Sequence, residues 1–263
     1  MSKTRRALLA LLALAVLKLP LDMLLAAMLP DASVNPAANC AAGAVVSLLL
    51  LGLPAWLLRP WTSMRFPQKK AVPGWLLLGA GMAVLARAAM SPVDAAWQGL
   101  LGIKPDALPV PDSLLMATAY LLCLAVVPAI TEEAFFRGML LPGLLEGFRR
   151  LVAVLLTVLA FALVHGRAAN LPSLLVISLL LTLLMLRTGC IKVAVTAHFF
   201  YNIAALVWRT VPEWGSLLCG AALIGLTAYV ISRQPKTSHP PMRKADGVIA
   251  AAAMVLLAAM YFI

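Results

Sequence analysis

Residues 113–139 read SLLMATAYLLCLAVVPAITEEAFFRGM. Up to Ile130 the stretch is an apolar run suited to the inside of a lipid bilayer. Two carboxylates and an arginine then follow, Glu132, Glu133 and Arg137. A charged side chain near the centre of a spanning helix costs at least ~2.5–3.5 kcal/mol. Such residues persist inside a membrane when they are paired, when they face a cavity, or when they carry chemistry.

The rest of the chain agrees that the surroundings are lipid. Of 263 residues, 63% are hydrophobic and 12% charged, with a mean hydropathy of +0.98. Soluble domains are about 45–50% apolar and about 25% charged. Apolar runs long enough to cross a hydrocarbon core of about 30 Å recur along the sequence. We read them near 7–29, 38–58, 73–92, 113–136, 151–166, 171–186, 191–208, 215–232 and 247–263. The reading is an all-α polytopic helical bundle of eight to nine transmembrane helices. We take residues 1–263 as a single integral membrane domain, with a catalytic core at about 113–208.

The net charge of +11 does not call for nucleic acid. With the N-terminus in the cytoplasm, the basic residues at 3–6, 59–70, 149–150, 187–192 and 233–244 fall on the cytoplasmic side. Lys104, Arg167 and Arg209 fall opposite, among Asp31, Asp94, Asp106, Asp112 and Glu213. That asymmetry is the positive-inside bias. The basic start MSKTRR before an apolar run has the outline of a signal peptide. Lys18 and Asp22 interrupt that run, so a retained first helix is the reading adopted. Cys40, Cys123, Cys190 and Cys219 lie in apolar spans without CxxC spacing, as small buried residues do.

Two basic connections, 59–72 and 233–246, are expected at the cytoplasmic headgroups. The proline-punctuated 97–112 is expected as an interfacial connection on the other side. Spans 151–166 and 171–186 are short and form a hairpin that only just crosses, or that ends in protein.

The ionisable residues inside spans are few. Lys18 and Asp22, one turn apart, read as a structural pair. Arg87 sits toward the outer end of its span and reads as a snorkelling residue. Glu133 and Arg137 are four apart, the favourable order for an ion pair on one helix face. Glu132 is turned about 100° from Glu133, which leaves it without a local partner. It is either a general base or acid or one member of a structural ion network. His165, with Phe161 one turn before it, is either a core histidine bonded to a carbonyl or part of a site. His198 and Asn202, at i and i+4, are either an interhelical polar clamp or donors for a developing oxyanion. Together they bring a base, an imidazole and an imidazole-plus-amide on three spans, the set that water-dependent cleavage of an amide needs.

In order along the chain, EEAFFRG fits EExxxR, FALVH fits FxxxH and HFFYN fits HxxxN. In these three motifs the sequence resembles the CPBP family, the CAAX prenyl proteases and bacteriocin-processing (Abi) intramembrane proteases, over roughly residues 113–208. The resemblance implies Glu132 as the base that activates water, helped by His165. It implies His198 and Asn202 as the oxyanion-stabilising pair, and Glu133 and Arg137 as supporting residues. It also raises zinc, since two histidines and a glutamate can bind it and leave a site for water. No HExxH occurs and Asn202 is a poor zinc ligand, so the expectation is a metal-free, cofactor-free glutamate mechanism with zinc as runner-up.

The expected partners are a membrane-associated protein or peptide substrate and the lipid bilayer, with no nucleic acid. The expected location is a bacterial inner membrane. Two other classes compete: a non-catalytic protein such as a bacteriocin-immunity factor, and a transporter with a proton relay. The transporter lacks an inverted repeat and paired broken helices. One spacing stands against a single site. Counted at ~1.5 Å per residue, Glu132 falls near the cytoplasmic end of its span. On the same count His198 lies about 10 Å in and His165 about 22 Å in. They meet only if residues 139–155 project past the membrane, or if the hairpin is shifted.

Overall fold

The structure is a computed structural model, and it describes residues 2–28, 35–58, 72–104, 110–166, 168–207, 212–233 and 244–259. The described residues form nine helices: α1 Lys3–Met28, α2 Pro36–Leu58, α3 Pro73–Leu101, α4 Leu114–Leu145 and α5 Arg150–Val164, then α6 Leu171–Thr188, α7 Ile191–Val207, α8 Glu213–Ser232 and α9 Lys244–Ala259. Six stretches are long and apolar enough to cross a membrane. The outward surface is apolar as well. On α8 alone Trp214, Leu217, Leu218, Ile224 and Ile231 are exposed, a face that only lipid or another protein suits. The fold is a polytopic helical membrane bundle.

Several boundaries differ from the sequence expectation. Helix α3 does not stop near residue 92 but runs through Pro92 to Leu101, where Gly102 closes it with φ +65. Trp97 and the four residues after it are therefore helical rather than part of a connection. Helix α9 starts at Lys244, so Asp246 lies in its first turn, buried, instead of in a loop. The 59–71 connection, and 234–243 of the other basic one, lie outside the described residues. Lys18 and Asp22 do pair across one turn of α1, and all four cysteines are free thiols. Arg87, expected to snorkel, is half-buried, with its charge acting on Asp94 and Tyr201.

Helices α2 and α4 contain prolines and remain continuous through them. The backbone widens to a π-helix over Leu48–Gly52, Leu121–Val126 and Phe136–Leu140. Each widened stretch ends two residues before a proline, namely Pro54, Pro128 and Pro142. A proline inside a helix removes one hydrogen bond and clashes with the carbonyl four residues back. An inserted residue in the preceding turn moves that carbonyl away and keeps the helix going. Two of these stretches bracket Val127–Phe135, the segment that carries both glutamates.

Continuity of α4 also resolves the depth conflict. Glu132 lies 13 residues from Leu145, about 20 Å along the helix. His165 lies 15 residues from Arg150, about 22 Å along α5. Both distances are counted from the same 146–149 turn, so the two side chains reach one level. His198 lies about 10 Å from the start of α7, so its approach to Glu132 implies that the 146–149 turn extends roughly 10 Å beyond the α6–α7 turn. The extension is packed rather than loose. Leu140 and Leu144 are buried in the same core as Ala7, Leu8 and Leu11 of α1, and Leu141 beside them is buried as well. Lys3 pairs with Glu146 at 2.7 Å. A Cβ on Gly147 would stand 2.6 Å from Thr4 Oγ1, so any larger residue there would force the Thr4 side chain to shift. At the centre of the bundle α3 packs on α6, α7 and α8, α7 also packs on α4 and α6, and α5 packs on α6 and α9.

Candidate active site

The site is built where α4, α5, α6 and α7 meet. Arg137 is its structural anchor and is fully buried. Its Nη1 donates to Glu133 Oε1 at 2.8 Å. Its Nη2 donates to the Ser178 carbonyl at 2.9 Å and to Ser178 Oγ at 2.8 Å. The guanidinium carbon lies 4.5 Å from the centre of the Phe161 ring. One side chain of α4 is thus tied to α6 by hydrogen bonds and to α5 by a cation–π contact. The pairing of Glu133 with Arg137 follows the i, i+4 spacing.

Phe161 is the hub of the aromatic packing. Its ring meets Phe136 at 5.2 Å, His165 at 4.8 Å and His198 at 5.7 Å between centroids. Its carbonyl oxygen lies 2.7 Å from His165 Nδ1. A carbonyl only accepts, so Nδ1 carries the proton in that bond, and in a neutral ring Nε2 is left as a lone pair. The bond ties the imidazole to the last turn of its own helix α5. The helix ends there because Gly166 takes φ +61.

His198, buried on α7, has the same arrangement with a different partner. Its Nδ1 lies 2.9 Å from Glu133 Oε1, which also accepts from Arg137. A carboxylate paired with a guanidinium accepts, so Nδ1 of His198 donates, and Nε2 again points away as a lone pair in the neutral ring. Both Nε2 atoms face one oxygen. Glu132 Oε2 lies 3.5 Å from His165 Nε2 and 3.9 Å from His198 Nε2. The sequence facing argument put the two glutamates on separate faces; a single imidazole spans that difference, with one nitrogen toward each. Glu132 Oε2, Glu133 Oε2 and Arg137 Nε are buried without a hydrogen-bond partner among the described residues.

Glu132, His165 and His198 are therefore brought together, and Glu133 and Arg137 stand directly behind them. Asn202 lies one turn beyond His198 on α7 and is half-buried. Two contributors do more than the sequence argument gave them. Phe161 was visible as the first residue of FxxxH, one turn before His165, but nothing marked it as the shared contact of Arg137 and both imidazoles. Ser178 gave no signal, being one small residue in the run LLVISLLL. Among the described residues no group of three or more His, Cys, Asp and Glu side chains is placed to hold a metal ion.

The fold and this cluster define the class: a membrane-embedded helical bundle with a buried carboxylate facing two imidazoles. Residues 114–204 match the family described as Rce1-like, type II CAAX prenyl endopeptidase Rce1-like. The matched segment contains all three motifs, and for it the resemblance to the CAAX-protease family stands. With six membrane-length helices, it supports an integral membrane protein of the endopeptidase type that acts on a protein substrate. No curated protein and no solved structure matches the chain.

Proposed function

We propose that the chain hydrolyses a peptide bond of a membrane-associated protein or peptide, with water activated by Glu132. The observation that carries this reading is the convergence of His165 Nε2 and His198 Nε2 on Glu132 Oε2 at 3.5 and 3.9 Å. A water molecule in the space that Glu132 Oε2 and the two Nε2 atoms face would have protons to give to them and a lone pair to attack with. Glu132 takes one proton as the water oxygen bonds to the carbonyl carbon. The same proton then goes to the amide nitrogen as the carbon–nitrogen bond breaks.

His198 cannot donate from Nε2 while neutral, because its proton is committed to Glu133. It becomes an oxyanion donor only as an imidazolium, and Glu133 is placed to stabilise that charge. Asn202, one turn farther on the same helix, supplies the neutral donor of the pair. His165 holds the water through its Nε2 lone pair. Glu133 and Arg137 keep His198 in its tautomer. Roles tied to the transition state should show in turnover rather than in binding, so His198→Ala and Asn202→Ala are expected to lower kcat more than they raise KM.

We place the protein in a bacterial cell membrane with the N-terminus cytoplasmic, an orientation that puts most of the basic residues of the sequence on the cytoplasmic side. Leader peptides, bacteriocin precursors and C-terminal anchors of sorted proteins are the substrate types considered. A zinc-dependent hydrolysis is the second reading. Both rings turn Nε2 inward and donate through Nδ1 to an oxygen, the sense in which metal-binding histidines are held. The test is cleavage of a membrane-anchored peptide by the purified chain in nanodiscs, with and without a tight zinc chelator. Unchanged cleavage is expected. Loss that zinc alone restores would replace the metal-free mechanism with the zinc one. No cleavage of any membrane-anchored peptide, with the fold intact, would favour the non-catalytic class.

A further inference from the structure

The outer end of α3 does more than span. From Ser91 to Leu101 the residues that turn away from the surroundings are Ser91, Asp94, Trp97 and Gln98, while the others are exposed. Asp94, Trp97 and Gln98 are spaced i, i+3 and i+4, on one helix face. Trp97 and Gln98 bond the connection that leaves His165, and Asp94 bonds the first turn of α6 that follows it. Trp97 Nε1 donates to the Ala168 carbonyl at 2.8 Å, and Gln98 Nε2 donates to the Ala169 carbonyl at 3.0 Å. Asp94 Oδ1 accepts from the Ser173 backbone N–H at 3.1 Å. That N–H belongs to the first turn of α6, where no intrahelical acceptor exists. Ser173 Oγ closes the loop on itself by donating to the Asn170 carbonyl at 3.0 Å.

We propose that Asp94, Trp97 and Gln98 are positioning residues that set where His165 presents Nε2 to Glu132; this rests on the hydrolytic reading of the site. The reason lies in the chain geometry. His165 is the residue that caps α5, one past Val164, and Gly166 follows it with φ +61. Beyond Gly166 only one residue precedes Ala168, the first atom group held by α3. The imidazole thus sits between two fixed points, the Phe161 carbonyl behind it and the α3 clamp ahead. Its contact with Glu132 is 3.5 Å, with little margin for drift. A misplacement of about 1 Å at a reacting centre costs about 10²-fold in rate. The clamp also accounts for the length of α3. Its extra turns beyond Pro92 carry Asp94, Trp97 and Gln98 to the level of the α5–α6 connection.

Asp94 is not a free carboxylate in this arrangement. Arg87 of its own helix and Ser173 of α6 act on it, and its charge acts in turn on Tyr201 of α7. Helix α3 also packs directly on α7, the helix that bears His198 and Asn202.

The test uses the full chain in nanodiscs. Trp97→Phe keeps the ring and removes the N–H. Gln98→Met keeps the length and removes the donor, and it serves if Trp97→Phe fails to fold. Asp94→Asn keeps the accepting oxygen and acts as the conservative rescue for Asp94→Ala. Two readouts are taken: kcat and KM on a membrane-anchored peptide, and the rate at which diethyl pyrocarbonate modifies each histidine, mapped by mass spectrometry. Expected for Trp97→Phe, Gln98→Met and Asp94→Ala is a fall in kcat of about 10- to 100-fold at nearly constant KM. His165 should be modified several-fold faster while His198 is unchanged, and Asp94→Asn should behave as the parent chain. Unchanged kcat and unchanged His165 modification in the donor-deleted variants would overturn the proposal. So would equal acceleration at His165 and His198, which marks general loosening. If the chain proves not to hydrolyse peptides, the histidine modification still decides the positioning claim by itself.

Discussion

Helices α6 and α8 are alike as sequence and opposite as structure. Both are apolar and of membrane length. Yet half of the α6 stretch (50%) is buried inside the bundle, against 11% for α8. The difference lies in what each helix is given to hold. Helix α6 has Ser173, Ser178 and Thr182 buried, and through Ser173 and Ser178 it receives Asp94 from α3 and Arg137 from α4. Helix α8 packs mainly on α3 and turns Trp214, Leu217 and Ile224 outward. In a bilayer apolar burial alone drives little association, because lipid tails are as apolar as leucine. Small polar residues meeting buried charge decide which helices are inside. The lesson extends to the group α4 to α7 as a whole: these helices hold the site, and α8 borders it at one remove.

The largest effect expected inside that group is on chemistry. Glu132→Gln keeps size and hydrogen bonding but cannot accept a proton, so cleavage should fall by ~10²–10⁴-fold or more. Its Oε2 has no hydrogen-bond partner among the described residues, so thermal stability should be kept or raised. Glu133→Gln should do the reverse in emphasis. It retains an acceptor for Arg137 but leaves that cation unneutralised, so stability should fall more than turnover. Normal cleavage by Glu132→Gln beside an inactive, stable Glu133→Gln would exchange the two roles.

Second in size is the anchor. Arg137→Ala strands a fully buried carboxylate and removes the tie between α4 and α6. Breaking a buried pair from one side costs about 3–5 kcal/mol, read as a large loss in Tm or in folded yield. A stable but inactive Arg137→Ala would make Arg137 a contact of the substrate or transition state. Ser178→Ala is the milder cut, since the Ser178 carbonyl still accepts from Nη2. One hydrogen bond to a charged group, about 1.5–3 kcal/mol, should be lost while the active site keeps its composition.

These expectations show what the sequence made legible. The membrane class, the helices and the Glu133–Arg137 pair are local signals of composition, periodicity and i, i+4 spacing, whereas the grouping of three motifs into one site came from the resemblance. What was not legible depends on non-local placement. The depth of His165 hung on whether α4 continues past Pro142, and a widened turn at Phe136–Leu140 decides that. The end of α3 was misread because Pro92 and the prolines after it resemble a loop, although a proline can be carried within a long helix whose neighbours hold it. Ser178 became a partner only because α6 lies against the π-helical stretch that presents Arg137. Asn202 was legible as the i+4 companion of His198, and its role rests on turnover measurements.

The smallest expected effect tests the comparison from its quiet side. Leu181 on α6 is completely buried, whereas Leu217 on α8 is 75% exposed. The two substitutions to alanine delete the same atoms. At Leu181 the deletion leaves a cavity among packed helices, and buried leucine-to-alanine changes cost about 2–5 kcal/mol. At Leu217 lipid fills the vacated space, and the change should stay within about 0.5 kcal/mol, as for ordinary surface positions. Unfolding of the reconstituted chain, compared for Leu181→Ala and Leu217→Ala in one lipid, reads the pair directly. Equal losses at both positions would mean that another protein surface, rather than lipid, covers the outward face of α8. The contrast between α6 and α8 would then describe a single subunit instead of the working assembly.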